Sequence, residues 1–184
     1  MSARGSAPGV ALAPGFTFKY FALACLTLLP AAGCSYSPNP GLFPSHLKTI
    51  AVPVFQNRTT QPALEEEITQ AVVTRFIRDS KLRVVAEDQA DLVITGAVSE
   101  YRNSVFGFNA QEKAQEYQVS ITLVATARDR IKNRELWKDD HLTRTANYFV
   151  TATPGQLPQT EADARAIAID KLVDAILNRT VENW

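Results

Sequence analysis

The chain has 184 residues, 46% of them hydrophobic and 21% charged, which is enough for one well-filled globular domain plus extras but not for two full-sized domains. Nineteen basic residues balance nineteen acidic ones, so unselective nucleic-acid binding loses its main driving force and no nucleic-acid partner is expected. Two cysteines, two histidines and one methionine cannot build a cysteine/histidine zinc cluster or a disulfide framework.

Charge is unevenly distributed. Residues 1–33 carry Arg4 and Lys19 and no acid, which leaves 17 basic groups against all 19 acidic ones in the rest, a formal −2. After Lys19 comes an apolar run of about ten residues at 20–29, then Pro30, Ala31, Ala32, Gly33 and Cys34. That run is too short to span a ~30 Å hydrocarbon core as a helix, which needs roughly 20 residues. Its order of charged, apolar and small residues is that of a secretory signal peptide, to be removed over 1–33.

The small residues ahead of Cys34 resemble a bacterial lipobox, in which the cysteine receives a diacylglyceryl thioether and becomes the new N-terminus. Ala31 stands where leucine is usual. The alternative is an ordinary signal cut near residues 31–33, leaving a free thiol. Two or more acyl chains, palmitate among them, anchor stably where one holds weakly. Ser35, rather than aspartate, at the second mature position is associated in such lipoproteins with the outer membrane, so the expected location is its periplasmic side. Residues 35–46 hold three of the ten prolines and few apolar residues; with Cys34 they read as a lipidated N-terminus and extended tether over 34–46.

The folded domain is expected over 47–184. Residues 48–55 are apolar on both alternating faces, as in a covered strand, and Pro53 belongs near an edge or bulge. Residues 63–79 place Leu64, Ile68, Ala71, Val72 and Phe76 on one helical stripe, with Pro62 in the first turn and Glu65, Glu66 and Glu67 at the N-terminal end. Strands follow at 82–85 and 91–101, and the strand, helix, strand order predicts parallel pairing. From Tyr117 to Arg128 apolar and polar residues alternate, a tight turn covers 129–133, and 134–146 returns antiparallel. Thr160 with Asp163 three residues later opens a second helix running to about Arg179. The expected fold class is α+β: a single two-layer domain, with a mixed four- to five-stranded sheet and two helices packed on one face, behind the lipidated tether.

Catalytic chemistry finds little support. His46 and His141 are the only imidazoles; neither adjoins a nucleophile elbow, a phosphate loop or metal-ligand spacing, and both read as solvated. Adjacent acids such as Asp139/Asp140 and Glu65/Glu66 point apart on any regular element. No enzyme activity, metal or cofactor is expected. What stands out is the segment 102–113, read as a loop joining two long strands, with Phe106 and Phe108 flanking Gly107 at its tip. Loop tips are normally polar. These rings either fold back onto the domain's own core or insert into a partner. Arg128, Arg130, Lys132 and Arg134 cluster at the next turn, with either a plain solubility role or contact with a lipid phosphate.

Taken in order, Gly33-Cys34-Ser35-Tyr36, the strand from Leu47 through Val52-Pro53-Val54-Phe55 to Thr59, Leu64-Glu65-Glu66-Glu67, Ala90-Asp91-Leu92-Val93 and Glu116-Tyr117-Gln118-Val119 resemble the LPS-assembly lipoprotein family LptE. The resemblance implies a non-catalytic lipoprotein of Gram-negative envelope biogenesis. It would sit in the lumen of the outer-membrane β-barrel LptD as plug and assembly partner, and bind lipopolysaccharide on its way to the outer leaflet. Matching the strand start at Glu116 makes Arg102 and Lys113 the implied lipopolysaccharide contacts, joined by Arg128, Arg130 and Lys132; Phe106 and Phe108 are the candidate partner contacts. A structural adaptor of another envelope or secretion complex stays open as the alternative.

Overall fold

The computed structural model describes residues 44–152 and 157–181. Six strands form one mixed sheet: β1 (Thr49–Ala51), β2 (Gln56–Asn57), β3 (Arg83–Val84), β4 (Leu92–Phe108), β5 (Ala114–Asp129) and β6 (Arg134–Phe149). Two helices, α1 (Leu64–Asp79) and α2 (Glu161–Val181), lie side by side against one face of it, and Arg165 of α2 reaches Glu67 of α1 at 3.0 Å. The strand order is β3-β1-β4-β5-β6, with β2 also on β4. β1 runs parallel to β3 and β4, whereas β4, β5 and β6 form an antiparallel meander. This is the expected α+β two-layer arrangement.

The sixth strand arises where the expected strand at 48–55 divides. Ala51 lies opposite Val93 and Gln56 opposite Ala97, so this line advances five residues while β4 advances four. The surplus residue is a bulge containing Pro53, which lacks the N–H a ladder needs. The bulge drops the Phe55 ring into the core, where the ring is 2% exposed. A Cβ on Gly96 would lie 3.2 Å from that ring and 3.0 Å from the Val124 carbonyl oxygen, so the close approach requires glycine there.

Helix α1 begins one residue later than the spacing suggests. Ala63 has φ 60°, in the left-handed region, so Pro62 lies in the preceding loop and not in the first turn. α2 starts as expected: the Asp163 N–H donates to Thr160 Oγ1 at 3.2 Å, and the Thr160 N–H donates back to Asp163 Oδ2 at 2.8 Å, a reciprocal capping box. The core lies between the helices and the helix-facing rows of β4 and β5. Leu92, Ile94 and Val98 face Val119, Ile121, Leu123 and Ala127 there, beside Leu64, Ile68, Val72 and Phe76 of α1 and Leu172 and Ile176 of α2.

β6 is the long outer edge of the sheet, and such an edge invites pairing with another strand. Here the Thr145 carbonyl accepts from Lys171 Nζ at 2.8 Å, and the Phe149 carbonyl from the Gln159 N–H at 2.8 Å. Carbonyls that would template a further strand are thereby taken.

Candidate functional site

The segment 102–113 is not a long loop. β4 continues to Phe108 and β5 begins at Ala114, so only residues 109–113 turn the chain. Asn109 organises this turn: its Oδ1 accepts from the Gln111 and Lys113 N–H groups at 3.0 and 2.9 Å. Three irregularities, between Val98 and Glu100, between Val105 and Gly107 and between Gly107 and Phe108, shift the register of β4 against β5. They break its alternation of side chains, so the pattern along 99–108 reads as loop although the backbone is strand.

The β4–β5 hairpin outruns the helix layer. Asn103 still meets the start of α2, donating to Glu161 Oε2 at 2.8 Å, but Val105, Phe106 and Phe108 beyond it are exposed, the two rings by 58% and 67%. Five residues of strand from Asn103 to Phe108 give a projection of about 15–20 Å. Of the two readings of these rings, the structure has them facing outward and not folded onto the core.

Below the tip, one side of the hairpin and β6 faces away from both α-helices; among the described residues only the 3-10 turn Glu87–Gln89 approaches it, at its lower end, beside the buried Ala51, Ala90 and Val93. Register places Arg102 opposite Ser120, Ser104 opposite Gln118, Thr95 opposite Thr126, Thr122 opposite Thr143 and Gln118 opposite Asn147 on this side. Its side chains bond one another across strands. Gln118 Nε2 donates to Asn147 Oδ1 at 2.9 Å, Asn147 Nδ2 to Glu116 Oε1 at 2.8 Å, and the hydroxyls of Thr122 and Thr143 share a hydrogen bond of 2.9 Å. Hydroxyls and amides dominate the middle of this surface, and charged side chains flank them: Arg102 and Glu116 toward the tip, Arg128, Glu135 and Lys138 toward the other end.

The five candidate lipopolysaccharide contacts fall into two groups. Arg102 lies near the tip, ion-paired with Glu100, and Lys113 closes the tip turn. Arg128 lies eight residues further along β5 than the partner of Arg102, a distance of about 27 Å. Beside it the Arg130 guanidinium donates to the Glu87 carbonyl, and Lys132 stands in the turn whose backbone N–H donates to Asp129 Oδ1 at 2.9 Å. Glu135 faces Arg128 in register, which dilutes the positive charge at that end. Cys34, the candidate lipidation site, lies outside the described residues.

His46 departs from the expectation of a solvated side chain. Its Nε2 lies 2.7 Å from Asp129 Oδ2, and that carboxylate is fully buried. The pairing joins residues 83 positions apart, so only the tertiary fold brings it about. His141 is exposed, as expected, on the outer strand.

Asp129 and the nearby Asp91 fasten the chain where it enters the domain. Asp91 Oδ2 accepts from the Lys48 and Thr49 N–H groups at 2.9 and 3.0 Å, and Thr49 Oγ1 accepts from the Asp91 N–H at 2.9 Å. The Lys48 amide is the main influence lowering the Asp91 pKa, opposed by partial burial. At Asp129 burial acts upward, but the Lys132 amide and His46 outweigh it and the pKa is again lowered. Carboxylates held below their unfolded value contribute stability above about pH 4, and that contribution is lost as pH falls through the folded values. Asp91→Asn is therefore expected to destabilise the protein at pH 7 and progressively less as pH drops below 4. Urea unfolding of both proteins across pH 2–7 checks this; parallel curves would contradict it.

Sequence reasoning missed a second polar cluster on the helix side. Tyr101 donates to Glu161, Asn103 Nδ2 donates to the Tyr148 hydroxyl at 3.0 Å, and the Tyr148 ring stacks on Tyr117 with centroids 5.4 Å apart. Burial and the Glu161 carboxylate raise the Tyr101 pKa to about 12, keeping it a donor. The available signal was Asn103 at a helix-facing position of its strand, since a polar group there needs a partner. Among the described residues no group of three or more His, Cys, Asp or Glu could hold a metal, and no helix is long and apolar enough to cross a membrane.

The described residues thus form a two-layer α+β body with one polar sheet face turned away from the α-helices and a projecting apolar hairpin. The chain belongs to the lipopolysaccharide-assembly family LptE, whose model matches residues 47–180. Among solved structures it is similar to the protein CT253 of Chlamydia trachomatis, at 10% identity over 72% of this chain and 95% of that one, with a TM-score of 0.50. The protein XCC0632 of Xanthomonas campestris has 14% identity over 76% and 90% of the two chains and a TM-score of 0.48. Lipoprotein GNA1162 of Neisseria meningitidis has 11% identity over 71% and 99%, with a TM-score of 0.43. No curated protein matches the sequence.

Proposed function

We propose that this chain is an outer-membrane lipoprotein, freed of residues 1–33, anchored through acylated Cys34 and tethered by residues 34–46. Its domain plugs and helps assemble an LptD-type barrel and assists delivery of lipopolysaccharide to the outer leaflet, without bond making. Membership of the LptE family supports the pathway. The observation that carries the mechanism is the bare sheet face, whose cross-strand Thr, Asn and Gln bonds suit a polar barrel lumen better than lipid or a dry protein core.

On this reading the apolar hairpin end meets the barrel through Phe106 and Phe108. Arg102 and Lys113 beside them meet phosphates of lipopolysaccharide, and Arg128, Arg130 and Lys132 form a second, separate contact about 27 Å away. Affinity purification of the full chain from envelopes in mild detergent tests it. A large β-barrel should co-purify, and the paired substitution Phe106→Asp with Phe108→Asp should cut its yield at least tenfold without changing the far-ultraviolet dichroism, because both rings are exposed. Recovery with no barrel partner would remove the plug reading.

A further inference from the structure

A groove of about 500 Å³ opens at the end of the domain opposite the apolar hairpin tip. The segment before β1, the segment before β3 and the last turns of both helices converge there. Pro44, Leu47, Leu82 and Val181 line it with carbon, and Lys48 and Lys81 stand in its wall. Its volume lies within the range of roughly 300–1,000 Å³ over which proteins enclose small organic ligands.

The walls are held by backbone bonds. The Leu47 N–H donates to the Pro44 carbonyl at 3.0 Å, and the Arg83 N–H donates to the Lys48 carbonyl at 3.0 Å. Thr49 lies opposite Arg83 in the parallel β1–β3 pair, so Lys48 and Lys81 precede adjacent strands at the same sheet end.

The charges around the groove are already sorted. Asp79, the acid in the lining, is ion-paired with Arg75 at 2.6 Å and Arg78 at 3.0 Å. At the end of α1 the Phe76 carbonyl is capped by the Ser80 N–H at 3.2 Å and the Ser80 hydroxyl at 2.8 Å. Neither lysine ammonium is needed by these groups, and both side chains are exposed with no hydrogen-bond or ion-pair partner among the described residues. An apolar trough with two uncommitted ammonium groups beside it complements an alkyl chain that ends in an anionic head: carbon in the trough, charge-assisted hydrogen bonds at its rim.

We infer that this groove takes one acyl chain of an anionic glycerophospholipid, with the phosphate held by Lys48 and Lys81. The encounter, though not the chemistry of the site, rests on the anchor reading above. Ten residues from Cys34 to Pro44 span at most about 33–36 Å, which keeps the groove within that distance of the bilayer holding the anchor.

The probe is myristoyl-lysophosphatidylglycerol, which offers one chain and one negative head. Titrated against the full chain in mild detergent and read by native mass spectrometry, it should give a saturable one-to-one adduct. Myristoyl-lysophosphatidylcholine and inorganic phosphate should each bind at least tenfold more weakly. The paired substitution Lys48→Glu with Lys81→Glu, at exposed positions, should weaken the glycerol lipid at least tenfold, and Val181→Trp should block the groove while leaving the dichroism spectrum unchanged. Equal binding of the two lysolipids, phosphate binding as tightly as lipid, adducts that never saturate, or a charge-reversed variant that binds like the parent would each overturn the site. The Cys34→Ala chain in the same titration separates the two readings: loss of the anchor leaves the adduct intact, and loss of the adduct leaves acylation of Cys34, seen by intact mass, untouched.

Discussion

Replacing Phe76 by alanine is expected to lower the unfolding free energy by about 3–5 kcal/mol. The ring is fully buried on the inner stripe of α1, in the same cluster as Ile50, Leu92 and Ile176, so its removal leaves a void at the meeting of both layers. Neighbouring side chains cannot collapse into it without moving α1 off the sheet, and the lost dispersion contacts add to the lost transfer energy. Since a domain of this size is stable by only about 5–15 kcal/mol, such a variant sits near the folding threshold. The midpoint of urea unfolding at pH 7 checks it, with Ile77→Ala as control. Ile77 is the next residue on the helix but 66% exposed, and its change should stay within about 0.5 kcal/mol. A Phe76→Ala variant as stable as the control would mean that α1 is not packed as described.

The second large effect concerns location. Cys34→Ala is expected to shift the full chain from the membrane pellet to the soluble fraction almost completely. Each buried methylene contributes about 0.8 kcal/mol to anchoring, and two or more acyl chains supply many of them. The described domain begins ten residues later, and its entry is fastened by Asp91 and Asp129, so the dichroism spectrum and urea midpoint should not change. Fractionation with intact-mass measurement reads both quantities. A variant that stays in the pellet at the parent's level, or a parent chain of unmodified mass, would remove the lipid anchor from the account.

The two predictions test different levels of the molecule, and these levels differed in how legible they were. The stripe of Leu64, Ile68, Val72 and Phe76 could be read directly because a helix repeats its buried side every 3.6 residues whatever it packs on. The alternation from Tyr117 to Arg128 was legible for the matching reason in a strand, and Thr160 with Asp163 marked the start of α2 because a capping box is closed within four residues. The outer half of β4 was not legible. Its three register shifts against β5 break the period of two, and the aromatic residues beyond Val105 then look like a loop tip although the backbone continues as strand. Pro53 pointed to a bulge, but that the bulge would split one strand into two depended on its parallel partner β4.

The candidate site divides along the same line. Phe106, Phe108 and the basic residues were picked out by type alone. That Arg102 and Lys113 stand at one end of a hairpin while Arg128, Arg130 and Lys132 stand at the other follows from strand length and register. His46 gave no sign of its buried partner, because nothing local relates it to Asp129, and the groove beside Lys48 and Lys81 exists only where two strand entries and two helix ends converge.

The sequence by itself determined the two helices, the alternating strands and the α+β class. Each of these is written in neighbours or in short periods, and local sterics and the burial of one face suffice to specify it. Only the tertiary structure decided which sheet face stays bare, how far the hairpin projects, and which charged groups are paired. Those outcomes depend on contacts between residues tens of positions apart, whose energies exist only once the chain has closed on itself.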